Sequence, residues 1–153
     1  ITNLISIKHL DLLKQLYQIV VIPQSVYEEL SASGKAAMQQ VDQPWISIQS
    51  VINRAEIAAF QRKTRLDRGE SEAILLTQQL GADLLLIDER RGRAEAQRLK
   101  LRITGLLGIL VESKRRGFIA AVKPLMDQLI ADSTFRVSPK LYKLILEMVQ
   151  EQV

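Results

Sequence analysis

Leu66–Arg93, LDRGESEAILLTQQLGADLLLIDERRGR, decides the fold class of this chain. Asp67 and Glu70 have the spacing of a capping box, in which two carboxylates satisfy each other's backbone N–H groups at a helix start. A helix is therefore expected from about Gly69 to Leu80, stopped by Gly81. Leu84-Leu85-Leu86-Ile87 follows as a short apolar run, the pattern of a strand buried on both faces in a parallel sheet. Asp88 comes next, at the carboxyl end of that strand. In open α/β sheets, ligands bind in the crevice outside such strand ends. Asp67, Glu70, Glu72, Asp88 and Glu89 thus put hard oxygen ligands around one helix and one strand, which suits a divalent cation of the Mg²⁺ type.

Strands and helices alternate on either side. Apolar spacing from Leu4 to Tyr17 predicts an amphipathic helix. Ile19-Val20-Val21-Ile22 reads as a buried strand, ended by Pro23, which opens a helix through Leu30. After the Ser33-Gly34 break come a short helix to about Val41, a strand at Trp45–Ile48 and a helix at Ala55–Arg62. Beyond Asp88, a basic helix is expected from about Gly92 to Leu99, then a strand at Leu101–Ile103. Helices at Leu106–Arg116, Val122–Ala131 and Pro139–Val149 complete the chain, so residues 104–153 are a helical C-terminal part. Alternation of this kind means a parallel sheet with crossover helices.

The 153 residues suit a single domain with a real core, and 47% apolar with 25% charged residues excludes disorder. With no cysteine, the chain has no disulfide, zinc-thiolate site or thiol nucleophile. His9 is the only histidine, which leaves almost no material for a triad. Apolar runs such as Leu106–Val111 are far too short to span a bilayer, and a cytoplasmic location is the expectation.

Position singles out three carboxylates. Val26, Glu29 and Leu30 share a helix face, which sets Glu29 beside apolar packing. Glu72 shares a face with Leu75 and Leu76. An unpaired buried carboxylate costs several kcal/mol, so each needs a partner, a metal or a cation. Glu29, Glu72 and Asp88 are expected to converge at the carboxyl edge of the sheet. The plainer reading makes Glu29 and Glu72 partly solvated face residues, Asp67 an N-cap and Glu70 its capping-box partner. Around these acids lie Arg62, Lys63, Arg65 and Arg68, then Arg90, Arg91, Arg93, Arg98, Lys100 and Arg102. Carboxylates ringed by arginines suit a polyanion laid over bound metal, whereas the few aromatic residues argue against base stacking as the main grip.

The segments ITNLISIKHLDLLKQLY, VVIPQSVYEEL, GESEAILL, GADLLLIDERRGR and ITGLLGILVESKRRGFI, in this order, resemble the PIN-domain proteins. More narrowly, the chain is similar to the PIN-like predicted nucleic-acid-binding proteins of prokaryotes. The resemblance implies an α/β/α sandwich with a central parallel sheet and Mg²⁺- or Mn²⁺-dependent nuclease activity, as in the toxin ribonucleases of toxin–antitoxin modules. It also implies RNA as substrate, a small antitoxin protein as a possible partner, and a homodimer. Carried over by motif, Glu29, Glu72 (with Glu70 beside it) and Asp88 match the family's second, third and fourth acids. Arg91 matches its recurrent arginine. The family's first acid lies in a Ser-Asp-Thr-Ser segment ending an opening strand, central in the sheet, just before the stretch matching Ile1–Leu4. The chain begins after it, and an upstream strand is expected.

On this reading Glu29, Glu70, Glu72 and Asp88 hold the cation. Arg91 and Arg68 position a phosphate, and Asn3 helps orient a water or phosphate. A catalytically degenerate PIN-like module that binds nucleic acid or protein is the alternative. An aspartyl-nucleophile domain would need an Asp at another strand end, but Pro23 follows Ile22 and Gln49 follows Ile48.

Overall fold

The structure, a computed structural model, describes residues 1–132 and 135–152. In chain order its elements begin with α1 (Thr2–Ser6), α2 (Asp11–Leu16), β1 (Val20–Pro23), α3 (Gln24–Ala32), α4 (Lys35–Val41), β2 (Ile46–Gln49) and α5 (Arg54–Thr64). They continue with α6 (Arg68–Leu80), β3 (Leu85–Leu86), α7 (Arg90–Arg98), β4 (Ile103–Thr104), α8 (Leu106–Arg115), α9 (Lys123–Asp132) and α10 (Pro139–Met148). Two compact units result: Ile19–Gly105, and Ile1–Gln18 together with the chain from Leu106 onward.

The unit Ile19–Gly105 is α/β with parallel pairing, as the alternation of elements requires. β1 pairs with β2 from Val20↔Ile46 to Pro23↔Gln49, and β3 pairs with β4 at Leu85↔Ile103 and Leu86↔Thr104. Among the described residues these are separate two-stranded ladders. α6 starts where the capping box places it: Asp67 Oδ1 accepts the Glu70 N–H at 2.7 Å, and Glu70 Oε2 accepts the Asp67 N–H at 3.3 Å. Gly81, at φ 59°, ends it in the left-handed conformation. Leu66, Ile74, Leu85, Ile87 and Ala96 seal α6, β3 and α7 together. Val51, Ile57, Leu75 and Leu76 do the same for α5 and α6.

Strand burial departs from expectation. Leu85 and Ile87 are buried, but Leu84 and Leu86 are half-buried, and Ile19 is 70% exposed just outside β1. A ladder of two short strands is too narrow to be covered on both faces, so only the side toward α6 and α7 closes.

The other unit is helical. Its N-terminal segment forms two helices where one was expected, because Lys8 takes a left-handed turn at φ 57°. Leu4, Ile7, Leu10, Leu12, Leu13 and Leu16 are all buried. On one straight helix they would spread right around the axis, and no single face could bury them. The turn at Lys8 aims both pieces at one core. There α1 packs on α9, while α2 and α10 pack on α8, around Leu110, Met126, Leu129 and Leu146. Of the C-terminal apolar residues, Leu125, Leu129 and Ile145 are buried, whereas Ile130, Leu141, Leu144 and Met148 stay exposed. No helix among the described residues is long and apolar enough to cross a membrane.

Candidate active site

The acidic residues of the unit Ile19–Gly105 are spread over the N-terminal turn of α6, the facing helix α3 and the loops that border α7, and among the described residues Glu29, Glu72 and Asp88 are not brought into one metal-holding group. α3 approaches α6 closely at Gly69. A Cβ there would lie 3.4 Å from Val26 Cγ2, 3.5 Å from Asp67 Oδ1 and 3.7 Å from Glu29 Oε1. Glu29 and Asp67, both exposed, therefore flank one glycine together with Val26, and Glu29 is a solvated face residue rather than one set into apolar packing.

Glu72, one turn beyond Arg68 on α6, is 2% exposed. Its Oε2 accepts the Ser25 backbone N–H at 3.1 Å, and its Oε1 accepts from Arg68 Nε at 2.8 Å. Arg68 also reaches Glu28 Oε2 at 3.3 Å. Burial works to raise the Glu72 pKa, but the bonds from Ser25 and Arg68 outweigh it, and the group is held below the usual glutamate value. The Ser25 hydroxyl is buried beside this carboxylate without a hydrogen bond of good geometry; the backbone N–H makes the bond.

Glu70 behaves in the opposite way. Burial pushes its carboxyl up, Asp67 and Glu89 add to that, and the Asp67 N–H and Arg91 pull against them. Its Oε1 is buried with no hydrogen-bond partner. That oxygen lies over α7: a Cβ on Gly92 would sit 3.2 Å from it and 2.5 Å from Ile87 Cδ1. Gly92 is what lets the helix approach so near.

Asp88 is exposed at the end of β3. A Cβ on Gly105 would meet Asp88 Oδ1 at 2.6 Å and Arg93 Nη1 at 3.1 Å, so these two side chains meet over a bare backbone. Arg93 Nη1 donates to the Ile87 carbonyl at 2.9 Å, tying α7 to the strand end that carries Asp88. In the sequence Arg93 is one of a run of basic residues, and its role depends on the docking of α7 against β3. Nothing local separates it from Arg90, Arg98 or Arg102. Arg91 is exposed and lies close enough to Glu70 to act on its charge. Asn3 lies on α1, in the helical unit.

Carboxylate oxygens are the right donors for a hard divalent cation, and the orphaned Glu70 Oε1 is an oxygen that a cation would satisfy. The fit is in kind rather than in number. Both oxygens of Glu72 are already bonded, and among the described residues no three Asp, Glu or His side chains form a group that could hold a metal ion.

The profile of one family, described as a PIN domain, matches residues 1–151. No curated protein and no solved structure matches the chain.

Proposed function

The chain belongs to the PIN domain family, a nuclease-like module, and on that premise we propose that it is a Mg²⁺- or Mn²⁺-dependent endoribonuclease, the cytoplasmic toxin of a toxin–antitoxin module. Glu29, Glu70, Glu72 and Asp88 would hold the cation, together with the aspartate that the family carries on an opening strand. Bound there, a divalent cation supplies an activated water and offsets charge on the transferred phosphate. The chain's own residues do the rest. Arg91 and Arg68 grip a phosphate in the paired geometry that a guanidinium offers. Arg93 fixes the Ile87 carbonyl and so the strand end bearing Asp88. The exposed arginines Arg65, Arg90, Arg91 and Arg102 give an RNA backbone a basic surface. An antitoxin protein would be the natural inhibitor of such an enzyme.

The observation that supports this reading most is the buried, unpartnered Oε1 of Glu70, in a carboxyl whose pKa is raised by burial and by neighbouring acids. Such a group is under-compensated by the protein itself, and a cation would compensate it. Calorimetric titration with Mn²⁺ tests it, using the chain extended by a strand ending in Ser-Asp-Thr-Ser. Weak, saturable binding that Asp88→Asn reduces is expected; no binding would refute the reading.

One observation favours a second reading, a PIN-like module that binds nucleic acid or protein without catalysis. Arg68 already serves as the cation of Glu72. A chain in which that pairing persists while RNA is bound would grip RNA and leave it intact.

A further inference from the structure

Arg68 stands on the first turn of α6 with both of its paired-donor edges half engaged. Nε donates to Glu72 Oε1 at 2.8 Å, and Nη1 donates to Glu28 Oε2 at 3.3 Å. A guanidinium grips a phosphate bidentately through two neighbouring nitrogens, either Nε with Nη2 or Nη1 with Nη2. One nitrogen of each pair is already held by a glutamate. A paired grip on phosphate therefore requires Arg68 to let go of Glu72 or of Glu28.

The two glutamates differ in what they lose. The Glu28 side chain is 50% exposed, so water replaces Arg68 there at little cost. The Glu72 side chain is 2% exposed, and without Arg68 it keeps the Ser25 N–H. Taking the cation from a buried carboxylate is strongly unfavourable, so a phosphate alone does not draw Nε away. A divalent cation alone meets the reverse obstacle. It competes with Nε for Glu72 and leaves the freed guanidinium beside a second positive charge. When both ligands arrive, the exchange balances: the cation takes Glu72 and the phosphate takes Arg68. Two carboxylates, one guanidinium, one divalent cation and one phosphodiester carry charges that sum to zero, and without either ligand they do not.

On the metal-dependent reading proposed above, and resting on it, we infer that Arg68 is an exchangeable counter-ion. It leaves Glu72 for a phosphate of the substrate backbone as a divalent cation takes Glu72, so cation and polyanion bind cooperatively. Such coupling is reciprocal: each ligand tightens the other by the same factor.

Fluorescence anisotropy of a labelled single-stranded 2′-O-methyl RNA oligonucleotide tests this, in EDTA and in saturating Mn²⁺. The chain is again extended by a strand ending in Ser-Asp-Thr-Ser, and circular dichroism confirms that each variant is folded. Mn²⁺ should tighten oligonucleotide binding about tenfold, and calorimetry should show the oligonucleotide tightening Mn²⁺ by the same factor. In Arg68→Met the factor should fall to about twofold, which is what the attraction of a screened dication for phosphate supplies. Glu28→Gln is a surface change that frees one nitrogen of Arg68. It should tighten metal-free oligonucleotide binding about threefold and keep the coupling. In the wild type itself, the Arg68 Nε–H resonance should move when Mg²⁺ and the oligonucleotide are added together, and move little with either one. Mn²⁺ that tightens the oligonucleotide equally in wild type and Arg68→Met would overturn the inference and leave the metal-dependent reading standing. So would an Nε–H resonance that stays in place with both ligands bound. No Mn²⁺ binding by the wild type, with or without the oligonucleotide, would overturn both.

Discussion

Arg68 closes over Glu72: Nε lies 2.8 Å from Oε1, with the guanidinium side chain 54% exposed and the carboxylate side chain 2% exposed. A half-solvated cation thus satisfies a carboxylate that water barely reaches. The pair ties the first turn of α6 to its second, and the Ser25 N–H on the other oxygen ties α6 to α3. A cation arriving at Glu72 would compete with the Arg68 bond for the same oxygens.

Arg68→Met should therefore have two opposite effects. It leaves Glu72 with only the Ser25 N–H, and stability should fall by about 1–2 kcal/mol, a discounted figure because Arg68 is half exposed. Chemical denaturation measures that loss. Mn²⁺ affinity, read by calorimetry, should rise, because the resident competitor is gone. Unchanged stability together with unchanged Mn²⁺ affinity would show that the pair is incidental.

Glu70→Gln should raise Tm at neutral pH. Burial first, then Asp67 and Glu89, lift the folded-state pKa of Glu70 above its unfolded value. A raised carboxyl contributes stability below the unfolded pKa, near 4.3, and loses it as pH rises through the folded value. Glutamine keeps the capping box and removes the charge. The advantage of the variant should shrink as pH falls below the glutamate range. A lower Tm for the variant at neutral pH would mean that Glu70 is compensated after all.

Much of this arrangement is legible in residues 66–93 alone. The Asp67/Glu70 spacing, Gly81 and the apolar run before Asp88 set α6 and β3 where they stand, because capping and periodicity are local effects. Glu72 is on the buried face that Leu75 and Leu76 imply. What stayed hidden is pairing over distance. Arg68 reaches Glu28 across 40 residues of chain, and Ser25 reaches Glu72 across 47, contacts that exist only once α3 packs on α6. The role of Arg93 likewise depends on how α7 docks against β3. The break at Lys8 is not legible in the sequence because the periodicity of Leu4–Tyr17 fits a helix locally; it fails only when the six buried leucine and isoleucine positions must share one core.

Glu151 offers a second pH-dependent test, in the helical unit. Its carboxylate accepts the Val122 and Lys123 N–H groups at 2.7 and 2.8 Å and lies 3.4 Å from Lys114 Nζ. Burial opposes the charge, yet these bonds prevail and lower its pKa. A lowered carboxyl contributes stability above its unfolded pKa and loses it as pH falls through the folded value. Glu151→Gln should cost about 1–2 kcal/mol at neutral pH. Wild type and variant should converge in acid. Equal melting curves at neutral pH would contradict the role.

Gly105→Ala should disturb Asp88 specifically. The added methyl would stand 2.6 Å from Asp88 Oδ1 and 3.1 Å from Arg93 Nη1, so one must move. We expect a loss of about 1–3 kcal/mol and a longer Arg93–Ile87 bond, visible in a crystal structure of the variant. An unshifted Asp88 would show that the site tolerates a side chain there.

Cleavage of single-stranded RNA tests the proposed function most directly, with the chain extended by an opening strand ending in Ser-Asp-Thr-Ser. Mg²⁺ or Mn²⁺ should support cutting, EDTA should abolish it, and Asp88→Asn should slow it by orders of magnitude. Arg91→Ala should weaken RNA binding and flatten its salt dependence, since one phosphate contact is lost. Cleavage that continues undiminished in EDTA, or in Asp88→Asn, would contradict the assignment of these acids.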